Sequence, residues 1–154
     1  MHRPELDEID IQILNLLQKD ARMTMKEIAV EVKLSGPAVS SRIEKLEKAK
    51  YLLGYQAVVN PLALGLYTKA FICLEVEPIA KSEFYPYIKA CPNIVECNCV
   101  TGEYSMILEV LFHTTIELDQ FIGELQHFGR TKTLIVFSTS VEHRGVDIQL
   151  QSAT

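Results

Sequence analysis

With 154 residues, 48% of them hydrophobic and 23% charged, the chain has room for one ordinary domain or two small ones and too much apolar content for wholesale disorder. No apolar run approaches the ~20 residues of a membrane helix, and Met1-His2-Arg3-Pro4-Glu5-Leu6-Asp7 lacks the apolar stretch of a secretory signal, so the reading is a soluble cytoplasmic protein with no membrane partner. A net charge of −5 excludes a uniformly basic nucleic-acid coat, although the deficit is uneven: residues 1–60 carry 9 basic and 9 acidic side chains, and residues 61–154 carry 6 and 11.

Up to about residue 50 the pattern is helical. Leu6, Ile9, Ile13, Leu16 and Leu17 recur at three- and four-residue steps behind Asp7, a candidate N-cap. Thr24-Met25-Lys26-Glu27 is a capping-box sequence that opens a short helix through Ile28, Ala29 and Val32. Lys33-Leu34 predicts a tight turn, and Ser35 caps a third helix that carries Pro37 in its first turn and runs to about Lys50. Its apolar face is Val39, Ile43 and Leu46. Three helices, the last two separated by a few residues, describe a helix-turn-helix or a generic three-helix bundle.

The outward face of the third helix favours the first of these. Ser40, Ser41, Arg42 and Lys45 offer small hydroxyls and long cations for groove edges and phosphates. Between residues 33 and 50, Lys33, Arg42, Lys45, Lys48 and Lys50 face only Glu44 and Glu47, a local excess of +3. Candidate DNA contacts are therefore Thr24, Ser35, Gly36, Pro37, Ala38, Ser40, Ser41, Arg42 and Lys45. The first-turn residues lie nearest the base edges, and Arg42 and Lys45 reach phosphates or a guanine. Few base-edge donors predict modest sequence specificity with a share of shape readout.

From Tyr51 the periodicity changes. Leu53–Val59 alternates like a strand that Asn60-Pro61 ends. Strands are then predicted over 67–76, 94–100, 104–112 and 131–141, with helices over 81–90 and 115–128, the second opened by the capping box Thr114-Thr115-Ile116-Glu117. The order βαββαβ is the ferredoxin-like split motif. In its first strand Ala70, Ile72, Leu74 and Val76 share one side while Phe71 and Cys73 share the other, and Met106, Leu108, Val110 and Phe112 oppose Ile107 and Leu111 in the third. Two helices cover one face of a four-stranded sheet, so an apolar second face predicts burial against another copy. A helical half of ~60 residues would itself be marginal alone. At least a dimer is expected.

The four cysteines, Cys73, Cys91, Cys97 and Cys99, lack paired zinc-type spacing and read as reduced structural thiols. The C-x-C of Cys97 and Cys99 points to one side of its strand, open to a pocket or an interface. The histidines, His2, His113, His127 and His143, are scattered without carboxylates or thiols at catalytic spacing. No metal, cofactor or catalytic residue is expected.

Taken together, several segments resemble the Lrp/AsnC family of prokaryotic transcription regulators: Leu6-Asp7-Glu8-Ile9-Asp10 with Ile13-Leu14, Leu34-Ser35 with Arg42-Ile43-Glu44-Lys45-Leu46-Glu47, Gly54-Tyr55-Gln56-Ala57 with Asn60-Pro61, and Val100-Thr101-Gly102-Glu103-Tyr104. The resemblance implies an α+β fold, with an N-terminal winged helix-turn-helix over 1–52, a connecting strand and linker over 53–66, and a ferredoxin-like (RAM-type) domain over 67–154 for oligomerisation and effector binding. It implies dimers packed through their ferredoxin-like halves, often assembled into octamers, and an amino acid or similar metabolite as effector bound between dimers near the 101–105 loop. By matching positions, Thr101, Gly102, Glu103, Tyr104 and Ser105 are effector candidates, with Ile135 and Val136 as wall residues. Two departures bear on that site. The family's Gly-Asp-Tyr/Phe-Asp loop is here Gly102-Glu103-Tyr104-Ser105, which removes a carboxylate able to pair with a ligand ammonium. A shorter Phe128-Gly129-Arg130 replaces the family's Pro-Gly-Val, and Arg130 reads as a surface arginine rather than the partner of a ligand carboxylate.

The reading is a double-stranded-DNA-binding transcriptional regulator, not an enzyme, whose assembly and DNA affinity respond to an amino acid or similar small metabolite. The alternatives are a nonspecific DNA-architectural protein and a tetrapyrrole decarboxylase related to the family. Glu96-Cys97-Asn98-Cys99-Val100 lacks the histidine and arginine cluster that the resemblance would imply for the enzyme.

Overall fold

A computed structural model describes residues 5–149; His2 and the outermost ends of the two expected domains lie outside them. The chain divides into two compact units, one containing the chain up to Val58 together with the stretch from Val141, the other Val59–Ser140.

The first unit is built on three helices, α1 (Glu8–Lys19), α2 (Met25–Glu31) and α3 (Gly36–Lys48). Each begins where the sequence supplies a cap. Asp7 accepts from the Asp10 amide and Asp10 accepts from the Asp7 amide, Thr24 and Glu27 form the same reciprocal box, and the Ser35 hydroxyl accepts from the Ala38 amide. Lys33, at φ 55°, takes the left-handed turn between α2 and α3. Ile13, Leu14, Leu17, Ile28, Ala29, Val32, Val39, Ile43 and Leu46 form the buried core, with Leu6, Ile9, Leu16, Leu34, Tyr51 and Leu52 packed around it.

Two features of this unit differ from expectation. Residues 53–59 join no strand ladder, so no wing strand forms among the described residues; a strand needs a hydrogen-bonded neighbour, and Leu53 and Val58 stand almost fully exposed. Tyr55 nevertheless donates to Glu47 Oε1 at 3.0 Å and ties this segment to the end of α3. The second difference concerns residues 141–149, which the sequence reading placed in the C-terminal domain. They lie on α1: Asn15 donates to the Ile148 carbonyl at 3.1 Å, Gln18 donates to the Val146 carbonyl at 3.0 Å, and Ile148 packs on the helical core.

In the second unit β1 (Thr68–Val76), α4 (Lys81–Ala90), β2 (Ile94–Cys99), β3 (Met106–Phe112), α5 (Thr115–Leu125) and β4 (Gly129–Ile135) keep the predicted βαββαβ order. The sheet order is β2-β3-β1-β4, antiparallel throughout. Ala70, Ile72, Leu74, Val76, Met106, Leu108, Val110 and Phe112 meet Phe84 and Ile88 of α4 and Leu118, Phe121 and Leu125 of α5 in one core. Tyr87 donates to Glu124 and links the two helices. Thr114 caps α5, while the Glu117 carboxylate accepts from the His113 amide one residue before the cap, so the box is displaced by one position. β4 ends earlier than predicted because its partner runs out: Ile135 pairs with Ala70 and the Val136 amide donates to the Lys69 carbonyl, near the start of β1.

The opposite sheet face bears half-buried Phe71, Cys73, Ile107 and Leu111 and exposed Leu134. Phe71 pairs with Leu134 and Cys73 with Ile107 across the ladders. Its central charges are matched, Lys69 Nζ standing 2.7 Å from Glu109 Oε1.

Candidate functional site

The helical unit presents the start of α3. Pro37, Ser41 and Lys45 are exposed there, and Gly36, Ala38 and Ser40 are partly covered. Gly36 has open space where a Cβ would project, so the first turn is bare backbone and small side chains. Such a surface allows close approach to a groove floor or a phosphate. Two candidate hydroxyls are already engaged: Ser35 Oγ caps α3, and Thr24 Oγ1 accepts from the Glu27 amide and donates to Glu27 Oε2 at 2.9 Å. Both therefore position the turn through their caps.

Arg42 departs from its expected place. Its Nη1 donates to Asp7 Oδ2 and to Asp10 Oδ1, each at 2.7 Å, and its side chain is only 27% exposed. The guanidinium thus spans from α3 to the first turn of α1 instead of standing free for phosphate or guanine. The capping bond from the Asp10 amide, with Arg42 adding to it, holds the Asp7 carboxyl below its usual range, and the Asp7 and Asp10 carboxylates raise Arg42. Sequence reasoning identified Asp7 only as a cap; the Asp7-x-x-Asp10 spacing was the available signal that both carboxylates share one turn. With Arg42 neutralised, the exposed cations of residues 33–50 are Lys33, Lys45, Lys48 and Lys50.

In the second unit, Thr101, Gly102, Glu103, Tyr104 and Ser105 form the β2–β3 connection, and Gly102 at φ 119° supplies a turn that L side chains rarely adopt. Ser105 is structural: its Oγ accepts from the Val76 amide at 3.0 Å and donates to the Leu74 carbonyl at 3.3 Å, and its own amide donates to that carbonyl. Glu103 Oε1 accepts from Arg130 Nη2 at 2.9 Å. Ile135 and Val136 are not beside this loop. They sit at the far end of β4, five residues from Arg130 in the case of Ile135, or roughly 16 Å of strand. One chain does not bring them to the Glu103 loop.

All four cysteines are free thiols; burial raises Cys97, with Cys99 adding to it, while Cys99 is exposed. His113 donates through Nδ1 to the Gly65 carbonyl at 2.9 Å, a local brace. Among the described residues no group of three or more His, Cys, Asp or Glu could hold a metal, and no helix is long and apolar enough to cross a membrane.

The architecture is that of a helix-turn-helix DNA-binding protein joined to a ferredoxin-like domain. An AsnC-type helix-turn-helix domain model matches residues 6–47, and an Lrp/AsnC ligand binding domain model matches residues 69–146. The chain belongs to the Lrp/AsnC family, and it is a DNA-binding transcriptional regulator rather than an enzyme. It is 33% identical over 138 residues to the uncharacterized HTH-type transcriptional regulator YezC of Bacillus subtilis, covering 90% of this chain and 98% of that one. The solved structure of B. subtilis LrpC superposes with a TM-score of 0.86 at 28% identity, covering 91% of this chain and all of that one. The transcriptional regulator NMB0573 of Neisseria meningitidis, solved as a complex with L-Met, gives 0.85 at 27% identity and covers 95% and 97%.

Proposed function

We propose that this regulator works in the cytoplasm as a homo-oligomer, at least a dimer and capable of larger assembly such as an octamer, and that an amino acid or similar metabolite sets its assembly and DNA affinity. The observation that carries this reading is the uncovered sheet face. Phe71, Ile107, Leu111 and Leu134 with an internally neutralised Lys69–Glu109 pair form a surface suited to a second copy. A two-fold pair would present two α3 helices to half-sites about one turn of DNA, or a multiple, apart.

In this reading Gly36, Pro37, Ala38, Ser40 and Ser41 approach the bases and Lys45 holds phosphate, while Thr24, Ser35 and Arg42 position α3. Few base-edge groups remain, which favours modest specificity and shape readout. Effector binding falls to the loop Thr101–Ser105; Ile135 and Val136 join it only across an interface between copies. The similarity to a methionine-bound regulator supports an amino acid in this role. An effector shifts assembly by its differential affinity for the two states. Light scattering with and without each of the twenty amino acids tests this: one of them changes the assembly distribution. A monomer that stays monomeric at micromolar concentration with all twenty would refute it.

A further inference from the structure

The chain passes between its two compact units twice, at Val58–Val59 and again at Ser140–Val141. After the second passage, residues 141–149 run back onto α1 and are held there by a small set of contacts. Asn15 and Gln18, three residues apart and so on one face of the helix, donate to the carbonyls of Ile148 and Val146. Those carbonyls are two residues apart, the spacing at which successive groups of an extended chain face the same way. Gln18 Nε2 also donates to Asn15 Oδ1 at 3.4 Å, which leaves the Asn15 amide group for Ile148. The Gln149 side chain donates to Asp147 Oδ2 at 2.7 Å, and between them Ile148 packs on the helical core. A Cβ on Gly145 would lie 2.1 Å from Gln18 Oε1 and 3.0 Å from Gln18 Cβ, so the backbone crosses directly over Gln18. One apolar anchor and two bonded carbonyls hold the segment, while residues 141–147 are exposed. Few buried contacts and solvent-facing hydrogen bonds mark an element that opens at low cost.

We infer that residues 141–149 are a releasable strap, a second tether that limits how far the helical unit can turn and so fixes the spacing of the half-sites that a pair of copies reads. The inference rests on the paired-half-site reading above. From Ser140 to Val146 is six residues, about 20 Å at full extension. With the strap seated, the helical unit is held by this short tether at α1 and by the linker that follows α3. With the strap released the linker alone remains, and residues 53–59 join no ladder that would stiffen it. Two α3 helices that each hang on one flexible tether reach half-sites over a wider range of separations, at a lower effective concentration for any one of them. A seated strap therefore concentrates the second helix at one spacing, and a released strap spreads it over several.

The test uses the whole protein and a duplex that it selects from a random-sequence pool. That duplex is compared with one carrying about five extra base pairs at its centre, half a turn of DNA, and with one holding a single half-site. The wild type should bind the lengthened duplex at least about tenfold more weakly. Two variants release the strap: Asn15→Ala/Gln18→Ala, where alanine favours α1 itself, and a chain ending at Ser140. Each should lose no more than about threefold on lengthening and bind the original duplex about three- to tenfold more weakly than wild type. Both should match wild type on the single half-site and keep its helix content in circular dichroism. A penalty for lengthening as large as that of wild type in either variant would overturn the strap and leave paired half-sites in place. Loss of single half-site binding by the double-alanine variant would also overturn it, by making the contacts part of the helical fold. A wild type indifferent to the insertion would remove both readings.

Discussion

Replacing Arg42 by alanine separates two roles that the sequence alone leaves merged. If Arg42 holds phosphate, the variant should lose one counterion-releasing contact; if it holds α1 against α3, it should lose stability. The structure points to the second. Two 2.7 Å charge-assisted bonds would be worth about 1.5–3 kcal/mol each when well buried, but the side chains are 27%, 53% and 17% exposed, and exposed pairs contribute about 0.2–1 kcal/mol. Asp7 and Asp10 also retain their capping-box amides in the variant. We therefore expect a loss of about 1–2 kcal/mol, read as an earlier midpoint in urea at unchanged slope. DNA affinity, measured by fluorescence anisotropy across a salt series, should fall with the slope of log K against log salt unchanged. Lys45→Ala should do the reverse, leaving the urea midpoint alone and reducing the slope by about one. An Arg42→Ala protein of wild-type stability whose salt slope drops by about one would refute the assignment.

Leu108→Ala empties a fully buried position at the centre of the sheet and should cost about 2–5 kcal/mol, measured by urea denaturation. Phe71→Glu, on the uncovered sheet face, should abolish the proposed self-association in sedimentation velocity while the secondary structure persists in circular dichroism. Because the Asp7 carboxyl is held below its ordinary value near 3.8, its contribution is fully present above that value and is lost as the pH falls through the lower, folded-state value. The thermal midpoint should thus decline on acidification below about pH 4, and Asp7→Asn should flatten that decline.

Helix boundaries were legible because caps are local. Asp7, Thr24 and Ser35 declare themselves by residue type, the first two with an acidic residue three positions further on. The alternating faces of β1 and β3 were equally readable, since a period of two leaves no choice of side. The features that stayed hidden depend on contacts between residues far apart in the chain. Nothing near Arg42 announces that Asp7, thirty-five residues earlier, will reach it, and the placement of residues 141–149 on α1 turns on two side-chain amides meeting carbonyls about 130 positions away. The strand predicted over 53–59 has the right alternation but no neighbour to pair with in the described chain. Family position pairs Ile135 and Val136 with the loop as walls of a site between dimers, and the register of a single chain, which sets them at the opposite end of β4 from Arg130, shows nothing of such a site.

Ligand control of DNA binding is tested most plainly by a duplex titration in two states. A duplex selected by the protein from a random-sequence pool is titrated with wild-type protein in the absence of ligand and again with the binding amino acid at saturation, with assembly measured in the same samples by light scattering. Duplex affinity and assembly state should change together. Identical binding curves and an identical mass distribution with and without the amino acid would contradict the coupling of effector, assembly and DNA.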